Sequence, residues 1–113
     1  MRESAVKIAL LVCLAAVYGQ VPAEAQKRDY RVTVKNSTNF NLDYFYFSAC
    51  GINNWGQDRL GKREVIAPGG SRVFNMHDGN DDCCRDMRAT FASSASRQRL
   101  GVDVCTVKEW ELR

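Results

Sequence analysis

Histidine, proline and long apolar runs are all scarce in this chain, and each scarcity removes a class of chemistry or architecture. His77 is the only histidine in 113 residues, so a zinc centre would have to draw on the cysteines. No spacing of those cysteines matches a zinc site. The apolar run from Ile8 to Tyr18 falls far short of the roughly twenty residues that a membrane-spanning helix needs, and Gly19 and Pro22 end it. No membrane span is expected. No window carries the 3.6-residue apolar repeat of an amphipathic helix, no segment is of low complexity and no repeat is visible. An excess of one charge is missing too. The net charge is +3, and Lys27, Arg28, Arg31, Lys62, Arg63, Arg72, Arg85, Arg88, Arg97 and Arg99 are dispersed through the chain. That pattern speaks for a solvated surface and against a nucleic-acid partner, leaving weak attraction to anionic polymers.

What is present begins with an export signal. Arg2 and Lys7 precede the apolar run, and Ala23-Glu24-Ala25 places small residues at the two positions a signal peptidase reads. Residues 1–25 are therefore expected to be a signal peptide and 26–113 a single mature domain beginning at Gln26, periplasmic or secreted. A lipid anchor at Cys13 is the rival reading; Val12 before it is larger than lipidation signals prefer. Setting Cys13 aside, the remaining cysteines of the five are Cys50, Cys83, Cys84 and Cys105. An even number in a small exported domain reads as two disulfides. Adjacent Cys83 and Cys84 are poorly placed to bond each other, so each is expected to reach a distant partner.

The mature segment is a series of strand signals. Tyr30, Val32 and Val34 alternate with Arg31, Thr33 and Lys35, and Asn36-Ser37-Thr38-Asn39 reads as a turn. Phe40 to Phe47 places aromatic or apolar residues on both faces, which suggests a central strand. Cys50 to Gly61 reads as a structured loop, Val65-Ile66-Ala67 as a short strand or the end of one, Pro68-Gly69 as a type II turn, and Ser71 to Met76 as a strand. His77 to Asp82 is an acidic loop, and Arg85 to Ala92 and Leu100 to Leu112 are the last strands. The expected fold is all-β: a small antiparallel sandwich, or a partly open barrel, of about six to seven short strands stapled by two disulfides.

Asn36-Ser37-Thr38, Trp55-Gly56 with Asp58 and Leu60-Gly61, Pro68-Gly69, Cys84 with Asp86 and Arg88-Ala89, and Gly101-Val102-Asp103-Val104-Cys105 together resemble a family of small exported bacterial proteins with one β domain. The resemblance spans nearly all of the mature segment. It implies a fold and a compartment and no reaction. Cys50 and Cys83 lie outside its pattern, so the second disulfide rests on cysteine parity.

Several residue groups are candidates for chemistry. Asp78, Asn80 and Asp82 have the D-x-N-x-D spacing of a calcium loop, but Cys83 stands where an EF-hand has glycine and Ala89 where it has glutamate. No metal is expected there. His77 with the acidic loop would be the basis of a hydrolase, although no acid, base and nucleophile set converges in the sequence. Trp55, with Tyr44 and Tyr46, fits either the core or an aromatic platform for a sugar ring or peptide, and Asp58 fits a loop cap. Pairing Cys84 with Cys105 in the last hairpin leaves Cys50 to Cys83 and sets Asp86 opposite Asp103. Two facing carboxylates repel, and Arg88 is the nearest compensating charge, making Asp86, Arg88 and Asp103 a polar cluster. The function expected is that of a monomeric, cofactor-free, non-enzymatic binding module of the bacterial cell envelope. Its partner would be a protein or an envelope polymer. An inhibitor or accessory subunit of an envelope enzyme, and a hydrolase at His77, are the alternatives.

Overall fold

The computed structural model describes residues 28–113; the expected signal peptide, its expected cleavage site and Cys13 lie outside them. Six strands follow in order: β1 Arg31–Asn36, β2 Leu42–Ala49, β3 Ser71–Asn75, β4 Cys84–Phe91, β5 Ser96–Asp103 and β6 Glu109–Leu112. They form two three-stranded sheets, β3-β1-β6 and β2-β4-β5. The fold is therefore an all-β sandwich. Antiparallel pairs dominate, but β1 and β6 run parallel.

The alternation read from β1 decides its placement. Val32 and Val34 are fully buried, and β1 lies between β3 and β6 with Val32 opposite Phe74 and Val34 opposite Trp110. The other sheet contributes Phe45, Phe47, Met87, Ala89 and Phe91 to the same core. Phe45 joins the two layers: its ring stacks on Phe74 at 4.5 Å and meets Trp110 at 6.4 Å. Burying one such ring stabilises the domain by about 2–3 kcal/mol. Asn36 ties the loops at one end together. Its buried amide donates to the Phe40 and Ile66 carbonyls and accepts from the Thr38 N–H and hydroxyl. The expected Pro68-Gly69 turn closes beside it, with Gly69 at φ 84° and the Gly70 N–H on the Ala67 carbonyl at 2.8 Å. A positive φ at the third turn position is what type II geometry requires of glycine.

Four expectations are corrected. β2 is an edge strand covered on one face only: Tyr44 is 48 % exposed and Tyr46 is half-buried, while Leu42, Phe45 and Phe47 point inward. An irregularity between Leu42 and Tyr44 carries Leu42 onto the same face as Phe45. Leu100–Leu112 is not one strand either. Asp103 ends β5 by accepting the Thr106 and Val107 N–H groups, and the chain then crosses to the other sheet as β6.

The last hairpin has a different register and different disulfides from those expected. Its loop is Ala92–Ser94, with Ser94 at φ 72° and the Phe91 N–H on the Ala95 carbonyl, a three-residue turn that sets Thr90 opposite Ser96. Further along, Gly101 at φ 65° adds one residue to β5 between Arg99 and Val102, a bulge that a glycine in the left-handed region makes readily. Cys84 therefore faces Asp103 and not Cys105. The register of β2 on β4 runs past Ala49 and Arg85, so Cys50 lies beside Cys84 and bonds it, with Cα atoms 5.4 Å apart. Cys83 lies just before β4, where its carbonyl accepts the Val104 N–H, and it bonds Cys105. The bridges are Cys50–Cys84 and Cys83–Cys105, in place of the expected Cys84–Cys105 and Cys50–Cys83.

Candidate binding face

The outward side of the β2–β4–β5 sheet presents three rows of side chains. Period-2 alternation turns Tyr44, Tyr46 and Ser48 of β2 out beside Thr90, Arg88 and Asp86 of β4, while Ser96 and Gln98 of β5 continue the rows of Thr90 and Arg88. The Tyr44 and Tyr46 rings stack at 6.5 Å. Leu100, beside the bulge, is exposed. Arg88, half-buried between Tyr46 and Gln98, makes no side-chain hydrogen bond or ion pair among the described residues.

The loop after Cys50 closes one end of this face. Gly51, Asn53 and Gly56 have positive φ values, which fold the chain back on itself, and Asn54 accepts the Gly56 N–H. Asp58 then accepts the N–H groups of Phe45 and Leu60, each at 3.0 Å, which places its carboxylate in the loop closure and anchors buried Leu60. Arg59 donates to the Phe45 carbonyl from its backbone and to the Phe47 carbonyl from its guanidinium, which lies 3.9 Å over the Phe47 ring. The second half of the loop thus covers the free edge of β2. The first half leaves Trp55 half-buried at the rim of a cleft of about 300 Å³, lined with Asn53, Asn54, Asp86, Gln98 and Leu100. Trp55 is not a member of the core cluster.

The expected polar cluster of Asp86, Arg88 and Asp103 is not assembled. The short hairpin loop shifts Asp103 away from Asp86 to face Cys84, and the Asp86 carboxylate instead accepts the Gly101 N–H at 2.8 Å and the Gly51 N–H at 3.3 Å. Asp103 accepts the Cys105 N–H. The expected repulsion is absent because backbone donors, and not Arg88, satisfy both carboxylates.

The acidic loop has a cation of its own. Arg85 stands at an inward position of β4 with its side chain fully buried. Its guanidinium donates to the Met76, Asn80, Asp82 and Cys84 carbonyls and to the Asp78 and Asp82 carboxylates, all between 2.7 and 3.2 Å. Asp78 and Asp82 thus face an arginine, as does the backbone carbonyl of Asn80. The Asn80 side chain accepts the Asp82 N–H. Nothing in the acidic loop read alone identifies this partner; the signal was an arginine in phase with Met87, Ala89 and Phe91 on a strand just after that loop. His77 lies apart, exposed, with its ring 4.7 Å from that of Tyr30 and its Nε2 3.8 Å from Asp81, a carboxylate 99 % exposed. Asp29 lines the same open depression, and the Arg31 side chain and N–H hold its carboxyl well below the ordinary range. The hydroxyl of Tyr30, whose ring lies beside that of His77, donates to the Asp81 carbonyl at 2.7 Å, and no hydrogen bond joins His77 to a serine or threonine hydroxyl among the described residues. No helix among these residues is long and apolar enough to cross a membrane.

No family model, no curated protein and no solved structure matches this chain.

Proposed function

We propose that the domain is a non-enzymatic binding module of the bacterial cell envelope, periplasmic or secreted, with the outward face of the β2–β4–β5 sheet as its contact surface. The observation that carries this reading is the gathering of Tyr44, Tyr46, Trp55 and Arg88 on one solvent-facing surface outside the core. Aromatic and arginine side chains dominate binding surfaces because they bring large contact area and directed hydrogen bonds. Two disulfides in so small a domain favour an oxidising compartment. A second reading, an inhibitor or accessory subunit of an envelope enzyme, draws on Ile52, 57 % exposed in the loop beside the Cys50–Cys84 bridge. The hydrolase reading has only the pairing of His77 with exposed Asp81 behind it.

Retention of solubilised envelope material by the immobilised, oxidised protein tests the reading. Wild type and Val73→Ser, changed on the other sheet, are expected to retain the same components, and Tyr46→Ser/Trp55→Ala to lose them. Equal retention by all three proteins would refute the assignment of the face. Loss on Ile52→Ser with no effect of Tyr46→Ser/Trp55→Ala would favour the inhibitor reading.

A further inference from the structure

We infer that the Trp55 cleft is a saccharide subsite for an acidic glycan, with a pyranose ring against the indole and a carboxylate of the sugar chain on Arg88. This rests on the binding-face reading and goes on to name the ligand class.

The lining of the cleft selects among ligand classes. Asn53, Asn54 and Gln98 each carry a donor and an acceptor on one short side chain, the combination that vicinal hydroxyls require. Asn54 has its oxygen committed to Gly56, which leaves its NH₂ group as a donor. Asp86 is fixed by two backbone N–H groups and retains lone pairs that can accept from a hydroxyl. Ser48 adds a hydroxyl that both donates and accepts. A half-buried indole at the rim of such a polar cleft offers a flat apolar surface to the C–H face of a sugar ring. The volume, about 300 Å³, lies at the small end of ligand sites.

Arg88 supplies the charge preference. It stands two residues from Asp86 along β4, about 7 Å at the rise of an extended strand, so the next unit of a bound chain lies within reach of its guanidinium. That guanidinium has no carboxylate partner among the described residues, and Arg88 stands opposite Tyr46 of β2 on the same outward face, an arrangement suited to a planar carboxylate. Other occupants fit less well. An extended peptide adding to the sheet beside β2 meets an edge already covered by Asp58 and Arg59.

The test uses the oxidised protein with two probes, a mannuronate tetramer and cellotetraose, read by calorimetry and by tryptophan fluorescence. Trp110 is buried in the core, so a saturable fluorescence change reports Trp55. The mannuronate tetramer is expected to bind with Kd near 1 mM or below, and cellotetraose at least tenfold more weakly. Arg88→Gln should remove that difference, Trp55→Ala should abolish binding of both, and Trp55→Phe should keep part of it; melting curves confirm that each variant is folded. Added salt should weaken the acidic probe alone. Equal affinity for the two probes, an unchanged mannuronate affinity in Arg88→Gln, or full binding by folded Trp55→Ala overturns the inference. So does the absence of any saturation by the mannuronate tetramer at several times 1 mM. If neither saccharide binds while Tyr46→Ser/Trp55→Ala still loses the envelope components, the glycan assignment fails and the binding face stands. If that variant retains them, both fail.

Discussion

Replacing Arg85 by methionine tests the account of the acidic loop most severely. The change keeps an unbranched apolar stem and deletes the guanidinium. Six hydrogen bonds disappear, four of them to the carbonyls of Met76, Asn80, Asp82 and Cys84 and two to the carboxylates of Asp78 and Asp82. Removing one partner of a buried ion pair costs about 3–5 kcal/mol, because the charges left behind have lost both solvent and counter-charge. Asp78 retains only a quarter of its side-chain exposure, whereas Asp82 is more than half exposed, so the loss should fall near the lower end of that range. At about 4–8 °C per kcal/mol for a domain of this size, the melting midpoint should drop by about 12–24 °C. Arg85→Lys keeps the charge but not the planar fork and should lose most of the same stability. Circular-dichroism melts at neutral pH under oxidising conditions give the result. A loss below about 1 kcal/mol would place Arg85 with ordinary surface ion pairs and refute the reasoning.

Calorimetric titration of the wild-type protein with calcium should show no submillimolar binding, because Arg85 already occupies the two carboxylates; binding lost in Asp78→Ala would contradict this. Asp58→Ala should cost about 1–3 kcal/mol by stranding the Phe45 and Leu60 N–H groups, with Asp58→Asn recovering part; equal melts for all three proteins would refute the capping role. The acid limb of the stability curve should respond to Asp29 and Glu111, whose carboxyls are held below their ordinary values of 3.8 and 4.5, the first by the Arg31 side chain and the second by the Ser37 hydroxyl. Their contribution is present above those values and is lost as the pH falls through the lowered folded-state values, so Asp29→Asn/Glu111→Gln should flatten the limb; an unchanged slope would refute it. Non-reducing peptide mapping should join Cys50 to Cys84 and Cys83 to Cys105, and a Cys84–Cys105 peptide would contradict the hairpin register.

Strand identity was legible wherever alternation met a clear turn. Val32 and Val34, Phe74 and Met76, and the Pro68-Gly69 turn all lie where simple period-2 reading places them. Register was not legible, because single residues reset it. Ser94 in the left-handed region shortens the hairpin loop, Gly101 adds a residue to β5, and an irregularity near Asp43 changes the phase of Leu42. The loop shifts the hairpin pairing by three residues and the bulge moves it back by one, neither altering composition or apolar content, and the cysteine partners moved with them. The binding face was half legible. Trp55, Tyr44 and Tyr46 were recognisable as a group, but the parts played by Gln98, Asn53 and Asn54 depend on where the Cys50 loop lies over the sheet, a long-range arrangement with no local signal.

Hydrogen–deuterium exchange of the oxidised protein, with and without solubilised envelope polymer, addresses the central claim directly. The account predicts slowed exchange in Gly51–Gly56 and in the neighbouring segments of β2 and β5, with β1, β3 and β6 unchanged. Slowing confined to the β3–β1–β6 sheet, or none on either sheet, would contradict it.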